Sequence, residues 1–179
     1  MAGNSGLSST SYVVLGLLAS LGPATPYDLK RAVATTLGNL WSFPHSQFYA
    51  EPERLAAVGL VTERREEGGR RRRTYSLTPK GRQELMLWLN DPEVPGHEVR
   101  DAGLLKLFFG DLTGEADVAA LARAQELVHQ TRAADYRRLA ADSGDDDLPF
   151  RAASMRMGQI FERASARFWR TVAEELDQQ

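Results

Sequence analysis

The chain has no cysteine, which excludes disulfides, thiol catalysis and thiolate metal sites. Histidine is nearly as scarce: His45, His97 and His129 are the three imidazoles, and their spacing fits no local metal motif. They form no acid–base constellation with a nucleophile, and the carboxylates show no distinctive pairing, so neither catalysis nor a cofactor or metal is expected. Long apolar runs are also missing. None approaches the length of a membrane span, and the N-terminus lacks the regions of a secretory signal. A soluble, cytoplasmic protein without a membrane role is the expectation. What is present suits a folded chain: 42% hydrophobic residues against 26% charged argue against wholesale disorder.

The net charge of −2 conceals a division. Residues 1–90 carry 11 Lys/Arg against 7 Asp/Glu, and residues 91–179 carry 11 against 17. An acidic total does not exclude a nucleic-acid partner, because the local field over a basic face governs approach to phosphate. Two regions with different tasks are predicted, 1–92 and 93–179.

In the first region Tyr12, Leu15, Leu18 and Ala19 recur at helical spacing, widened by Val14, Leu17 and Leu21, and predict a well-buried helix over Ser9–Leu21. Gly22–Pro23 stops it. Thr25-Pro26-x-Asp28 starts a second helix, with Thr25 as cap and Asp28 at the positive end, and Leu29 and Val33 inward. Gly38–Asn39 reads as the turn to a third helix over about Pro44–Val58, with Phe48, Leu55 and Val58 inward and Pro52 expected to bend or split it. After Gly59, strands are predicted over Leu60–Glu66 and Arg72–Leu77, around a turn at Glu67–Arg71. Thr78–Pro79 then caps a helix to Leu89 that packs through Leu85 and Trp88 or Leu89.

The second region predicts helices over about Val99–Phe109, Glu115–Ala141 and Pro149–Glu175, with the polar, acidic Ser143–Asp147 as a loop. Val118, Leu121, Gln125, Val128, Arg132 and Leu139 share one face of the middle helix. Met157, Phe161, Ala164, Phe168 and Val172 mark a second stripe, flanked by Trp169 and Leu176. Two long apolar stripes in so small a region need partners, either each other or a second chain. The second choice makes Val118, Leu121, Val128, Met157, Phe161, Phe168 and Val172 dimerisation residues. The fold class is mainly α: an N-terminal winged helix-turn-helix (α+β) followed by a C-terminal helical dimerisation domain.

That order points to double-stranded DNA. His45, Ser46 and Gln47 occupy the leading end of the third helix, where polar side chains reach base edges or phosphate. Gln47 suits adenine through its amide, and Ser46 or Tyr49 suits a backbone phosphate. The hairpin carries Gly68 and Gly69 at its tip, with Arg64 and Arg65 entering and Arg70, Arg71, Arg72 and Arg73 leaving. Guanidinium groups suit phosphate or a narrow minor groove. Alternation along the strand pairs Arg70 with Arg72 or Arg71 with Arg73, and leaves the phase open. Trp88 and Trp169 are candidate effector contacts, each with helix packing as the plainer role. Trp41 reads as a core anchor.

The stretch WSFPHSQFYAEPERLAAVGL at Trp41–Leu60, the arginine-rich wing and LTPKG at Leu77–Gly81 together resemble the PadR family of bacterial transcription regulators. The longer second region resembles the virulence-activator-like helical C-terminal domain of its larger members. The resemblance covers about residues 9–89 closely and most of the remainder loosely. It implies a homodimer with two winged domains that controls promoters, and carries the H-S-Q-aromatic-Y pattern of the recognition helix onto His45, Ser46, Gln47, Phe48 and Tyr49. Phe48 stands where the family commonly has isoleucine. A small aromatic or metabolite effector is implied by the resemblance alone. Repression at a pseudo-palindromic operator is the expected function. Activation by the same fold, or a structural or protein-interaction dimer, are the alternatives.

Overall fold

The computed structural model describes residues 6–36, 44, 46–66, 72–94, 96, 100–142 and 149–178. The chain divides into two compact units, Met1–Gly96 and His97–Gln179.

Unit 1 contains α1 (Ser9–Leu21), α2 (Pro26–Thr36), α3 (Gln47–Ala57), β1 (Val61–Arg65), β2 (Arg73–Leu77) and α4 (Pro79–Asn90). Ser8 caps α1 in a reciprocal box with Ser11. Thr25 and Asp28 form another at α2: the Thr25 hydroxyl accepts from the Asp28 amide at 3.2 Å, while Asp28 Oδ2 accepts from the Thr25 amide and hydroxyl at 3.0 and 2.7 Å. Those hydrogen bonds hold the Asp28 carboxyl below its usual range, helped by the charges of Arg72 and Arg31. β1 and β2 pair antiparallel with Val61 opposite Leu77 and Arg65 opposite Arg73. A single bridge from Ala24, in the α1–α2 turn, extends this sheet through reciprocal bonds with Tyr75 at 2.9 and 3.0 Å.

Around that frame Val14, Leu15, Leu18, Leu29, Val33, Phe48, Leu55, Leu60, Val61, Tyr75 and Leu85 form one continuous core. Several expectations are corrected at its margins. Leu21 is exposed, because it lies on the last turn, beyond the buried Val14, Leu15, Leu17 and Leu18. Val58 is exposed because α3 ends at Ala57 and the helical period no longer directs its side chain. Pro52 does not split α3: its ring is buried in an unbroken helix, and that burial offsets the hydrogen bond it deletes. Trp88 and Leu89 do not join Leu85 in the core; both are exposed at the end of α4. Both strands are shorter than expected. Trp41, Gly38, Asn39 and the hairpin tip with Gly68 and Gly69 lie outside the described residues.

The junction between α3, β1 and α4 explains the LTPKG segment. Gly59 has φ +75°, and the chain reverses there into β1. The Thr78 hydroxyl lies 2.9 Å from the carbonyl oxygens of both Gly59 and Leu60, and accepts from the Gly81 amide at 3.0 Å to cap α4. Lys80 Nζ donates to the Val58 carbonyl at 3.2 Å. A Cβ at position 81 would overlap the Leu60 carbonyl oxygen, so only glycine lets α4 approach this closely.

Unit 2 contains α5 (Ala102–Phe108), a 3-10 turn (Gly110–Leu112), α6 (Glu115–Asp142) and α7 (Pro149–Asp177). Asp101 caps α5 by accepting from the Gly103 and Leu104 amides, so this helix starts later than the expected Val99. α6 and α7 lie antiparallel: Arg123 meets Asp177, Glu126 meets Arg170, His129 meets Glu162 and Tyr136 meets Gly158. The α6 seam is Ala119, Ala122, His129, Ala133 and Tyr136, one position across from the expected stripe. Val128 and Arg132 are therefore exposed, while Val118, Leu121, Gln125 and Leu139 are half-buried on the flank. From α7 the seam receives Gly158, Glu162, Ala166, Trp169 and Ala173. A Cβ at position 158 would stand 2.5 Å from the Tyr136 ring.

Candidate nucleic-acid interface

α3 is oriented by polar bonds from the buried start of α1. The Thr10 hydroxyl donates to Gln47 Oε1 at 2.6 Å, and the Ser11 hydroxyl donates to Glu51 Oε1 at 2.5 Å. Arg54 donates to Glu51 at 2.7 and 3.0 Å and to the Ser11 oxygen at 2.9 Å. Burial pushes the Glu51 carboxyl up, but the bonds from Arg54 and Ser11 outweigh it and hold the group below its ordinary value. Thr10 and Ser11 are buried polar residues for this reason: each has its hydrogen bond in α3.

The exposed side of α3 carries Ser46, Gln47 and Tyr49. The Ser46 hydroxyl makes no capping bond, although its carbonyl accepts from the Tyr49 and Ala50 amides. Gln47 already uses one lone pair of its amide oxygen on Thr10, which leaves the second lone pair and the amide N–H groups for a base edge. Tyr49 contributes to an open groove of about 350 Å³ lined also by Thr25, Pro26, Tyr27, Arg72 and Arg73. It joins the first turn of α2, the flank of α3 and the start of β2 in one surface. Tyr27 carries no signal in the apolar periodicity, and Thr25 reads from the sequence only as a cap; the groove is what brings both beside Tyr49.

Arg72 and Arg73 both line the groove, so strict alternation does not separate them; Arg72 stands just before the strand begins. They differ in their partners. The Arg73 guanidinium pairs with Glu53 and lies 3.7 Å from Glu63, and bonding to Tyr75 followed by the charge of Glu53 raises its pKa further. Arg72 is exposed, with its carbonyl accepting from the Glu66 amide. His45, Arg70 and Arg71 lie outside the described residues.

The two tryptophans singled out from the sequence fall in different units and in opposite environments. Trp88 is 48% exposed and stacks on Tyr12, with ring centroids 4.4 Å apart and planes 9° apart. Trp169 is 1% exposed, packed among Ala122, Ala173, Leu107, Leu121 and Val172. It fills the α6–α7 seam, which is the packing role weighed against ligand contact in the sequence.

The sequence reading missed the buried polar pair of unit 2. His129 Nδ1 lies 2.5 Å from Glu162 Oε2, a distance at which a ring N–H donates to a carboxylate, and both residues are buried. His129 Nε2 has no hydrogen-bond partner among the described residues. Nearby, burial and then the charge of Glu162 push the Tyr136 phenol above its ordinary pKa. The separation of 33 positions between His129 and Glu162 hides the pair from local motif reading.

Residues 14–87 match the Transcriptional regulator PadR-like family, and residues 99–177 match the Virulence activator alpha C-term family. The Negative transcriptional regulator PadR of Bacillus subtilis (strain 168) is 31% identical over 138 residues, which span 74% of this chain and 75% of that protein. The crystal structure of Bacillus subtilis PadR in complex with operator DNA is similar at a TM-score of 0.82 and 24% identity, covering 94% of this chain and 99% of that one. The same protein in complex with p-coumaric acid gives a TM-score of 0.76 and 26% identity, covering 93% and 98%. Mainly helical architecture with one small antiparallel sheet agrees with the winged-helix fold of these relatives. Among the described residues, no helix is long and apolar enough to cross a membrane.

Proposed function

This chain belongs to the PadR-like family of transcriptional regulators, and from that premise we propose that it binds operator DNA and represses transcription as a homodimer in the cytoplasm. The family is one of DNA-binding regulators, not of enzymes. The observation that carries the reading is the groove that brings Tyr49 of α3 together with Tyr27, Arg72 and Arg73, with the exposed Ser46 and Gln47 at the leading end of the same helix. Tyrosine hydroxyls and guanidinium groups around one groove suit phosphate, which positions α3, while Gln47 at its leading end serves base recognition. His45, Arg70 and Arg71 remain candidates for DNA contact on the sequence alone.

Dimerisation is supported by the α7 flank. Met157 is 63% exposed, and Phe161 and Phe168 are also exposed beside the half-buried Val172, with Val128, Leu121 and Val118 along the facing edge of α6. Such a stripe is costly in water, and a second copy covers it with its own equivalent. Two winged units then meet two half-sites about one helical turn apart, which makes a pseudo-palindromic operator the natural target. The complex of a relative with p-coumaric acid supports a small aromatic effector, for which the exposed Trp88–Tyr12 stack offers a flat apolar surface.

The test is selection of bound fragments from genomic DNA by the purified protein, with excess nonspecific competitor at near-physiological salt. One enriched inverted repeat upstream of genes is the expected result. A folded protein that enriches no sequence sinks the reading. A promoter–reporter assay with that repeat separates repression from activation.

A further inference from the structure

The α6–α7 hairpin has two unlike flanks. Opposite the apolar one runs a groove of about 400 Å³ lined by Gln130, Ala133 and Arg137 from α6 and by Arg163, Ala166, Arg167 and Arg170 from α7. Four guanidinium groups in one concavity are unusual in a half-chain with 11 basic against 17 acidic residues. Two arginines of the same hairpin outside the groove are neutralised: Arg123 pairs with Asp177, and Arg138 with Asp135. Within it, Arg170 donates to Glu126 at 2.7 Å, which also raises the arginine's pKa. Gln130 donates to the same carboxylate at 2.7 Å and so steadies it.

Arg137, Arg163 and Arg167 have no ion-pair partner among the described residues. Three such charges brought together repel one another, and the repulsion is relieved when an anion enters. We propose that this groove binds a small, multiply charged phosphate-type anion, an effector site separate from the DNA-facing surface of unit 1.

Three features favour that ligand. Guanidinium forks match phosphate oxygens two at a time, and several forks match an anion carrying more than one charge. The lining holds no aromatic or large aliphatic side chain, so a phenolic acid gains little there. A groove of this volume on two helices admits a compact metabolite rather than a folded partner. Ala133 and Ala166 keep the floor low enough for the ligand to settle between the arginines.

The experiment is calorimetric titration of the full chain with pyrophosphate at about 0.15 M salt, a concentration that screens weak surface attraction. One saturable site per chain is expected. Arg163→Gln with Arg167→Gln should weaken it about tenfold or more, corresponding to about 1.4 kcal/mol. Arg167→Lys keeps the charge but loses the fork, and should fall between. Arg72→Ala with Arg73→Ala should leave pyrophosphate binding unchanged. Melting curves identify any variant that fails to fold, and the lysine variant retains the test in that case. Absence of saturable heat overturns the proposal, as does binding lost in the Arg72/Arg73 variant and kept in the Arg163/Arg167 variant. A short DNA duplex provides the second arm. Loss of duplex affinity on removing Arg163 and Arg167, without pyrophosphate binding, assigns the groove to the DNA backbone and rejects the effector site.

Discussion

Unit 1 closes a core of large apolar residues, though Leu21, Val58 and the end of α4 stay outside it: Phe48, Tyr75, Leu15, Leu29 and Leu55 are fully enclosed, and its buried hydroxyls at Thr10 and Ser11 have partners. Unit 2 does nearly the reverse. Its α6–α7 seam is alanine, glycine, one tryptophan, one tyrosine and a His–Glu pair, while Phe150 (83% exposed), Met157, Ile160, Phe161 and Phe168 face outward. Small residues let two helices approach closely, but remove little apolar area from water. The contrast separates a unit that completes its own core from one whose strongest apolar residues remain available for another surface.

The most disruptive way to probe the second unit is to orphan one partner of its buried pair. Glu162→Ala should destabilise the hairpin by about 3–5 kcal/mol in a denaturant titration, because it leaves the His129 ring without its carboxylate. His129→Leu combined with Glu162→Leu should recover most of that loss. If the single variant costs nothing, the pair contributes nothing to the seam, and the contrast between the units weakens.

Substituting the outward stripe tests the other half of the contrast. Phe161→Glu with Phe168→Glu should leave the helices folded while shifting sedimentation from dimer to monomer. Each buried aromatic is worth about 1.5–3 kcal/mol and recurs twice across a two-fold axis, so self-association should weaken by about 100-fold or more. A dimer that survives unchanged removes this face from the interface.

In unit 1, Gly81→Ala should cost about 2–3 kcal/mol, since the new methyl group meets backbone rather than a flexible side chain. The cap variant Thr25→Ala should cost about 1 kcal/mol by the same denaturation assay. Acid should act on this unit through Asp28 and Glu51, both held below their ordinary values. The stability they supply is complete above the unfolded carboxyl pKa of about 4 and is lost as pH falls through their lower folded values. Asp28→Asn with Glu51→Gln should flatten that part of the acid unfolding curve.

The smallest effect belongs to the wing. Arg72→Ala should weaken DNA binding similarly across sequences and reduce the slope of log affinity against log salt by about 1. Arg73→Ala should also disturb Glu53 and Glu63, and so mix a loss of charge with a local rearrangement.

The order of helices and strands was legible because caps and stops are local: Thr25, Pro26, Gly59 and Thr78 each act where they stand. The inward faces of α1 and α2 followed from spacing for the same reason. The seam of unit 2 was not legible, because Ala119, Ala122 and Ala133 give weaker hydropathy signals than Leu121 and Val128 one position away. The apolar period found the flank, and only the packed partner reveals that alanine lies at the contact. The candidate DNA surface divides similarly. Ser46, Gln47 and Tyr49 come from one helix and were readable, whereas the Thr10–Gln47 bond and the place of Tyr27 depend on the tertiary approach of three helices.

The contact at Gly81 sets a mechanical property as well as a stability. Thr78, Lys80 and Gly81 grip the Val58, Gly59 and Leu60 carbonyls that connect α3 to β1, with no clearance at Gly81. A joint without play transmits rotation directly. A twist applied to the beginning of α4 therefore turns the end of α3 with it, and the helix that leads out of unit 1 acts as a lever on the helix proposed to face DNA.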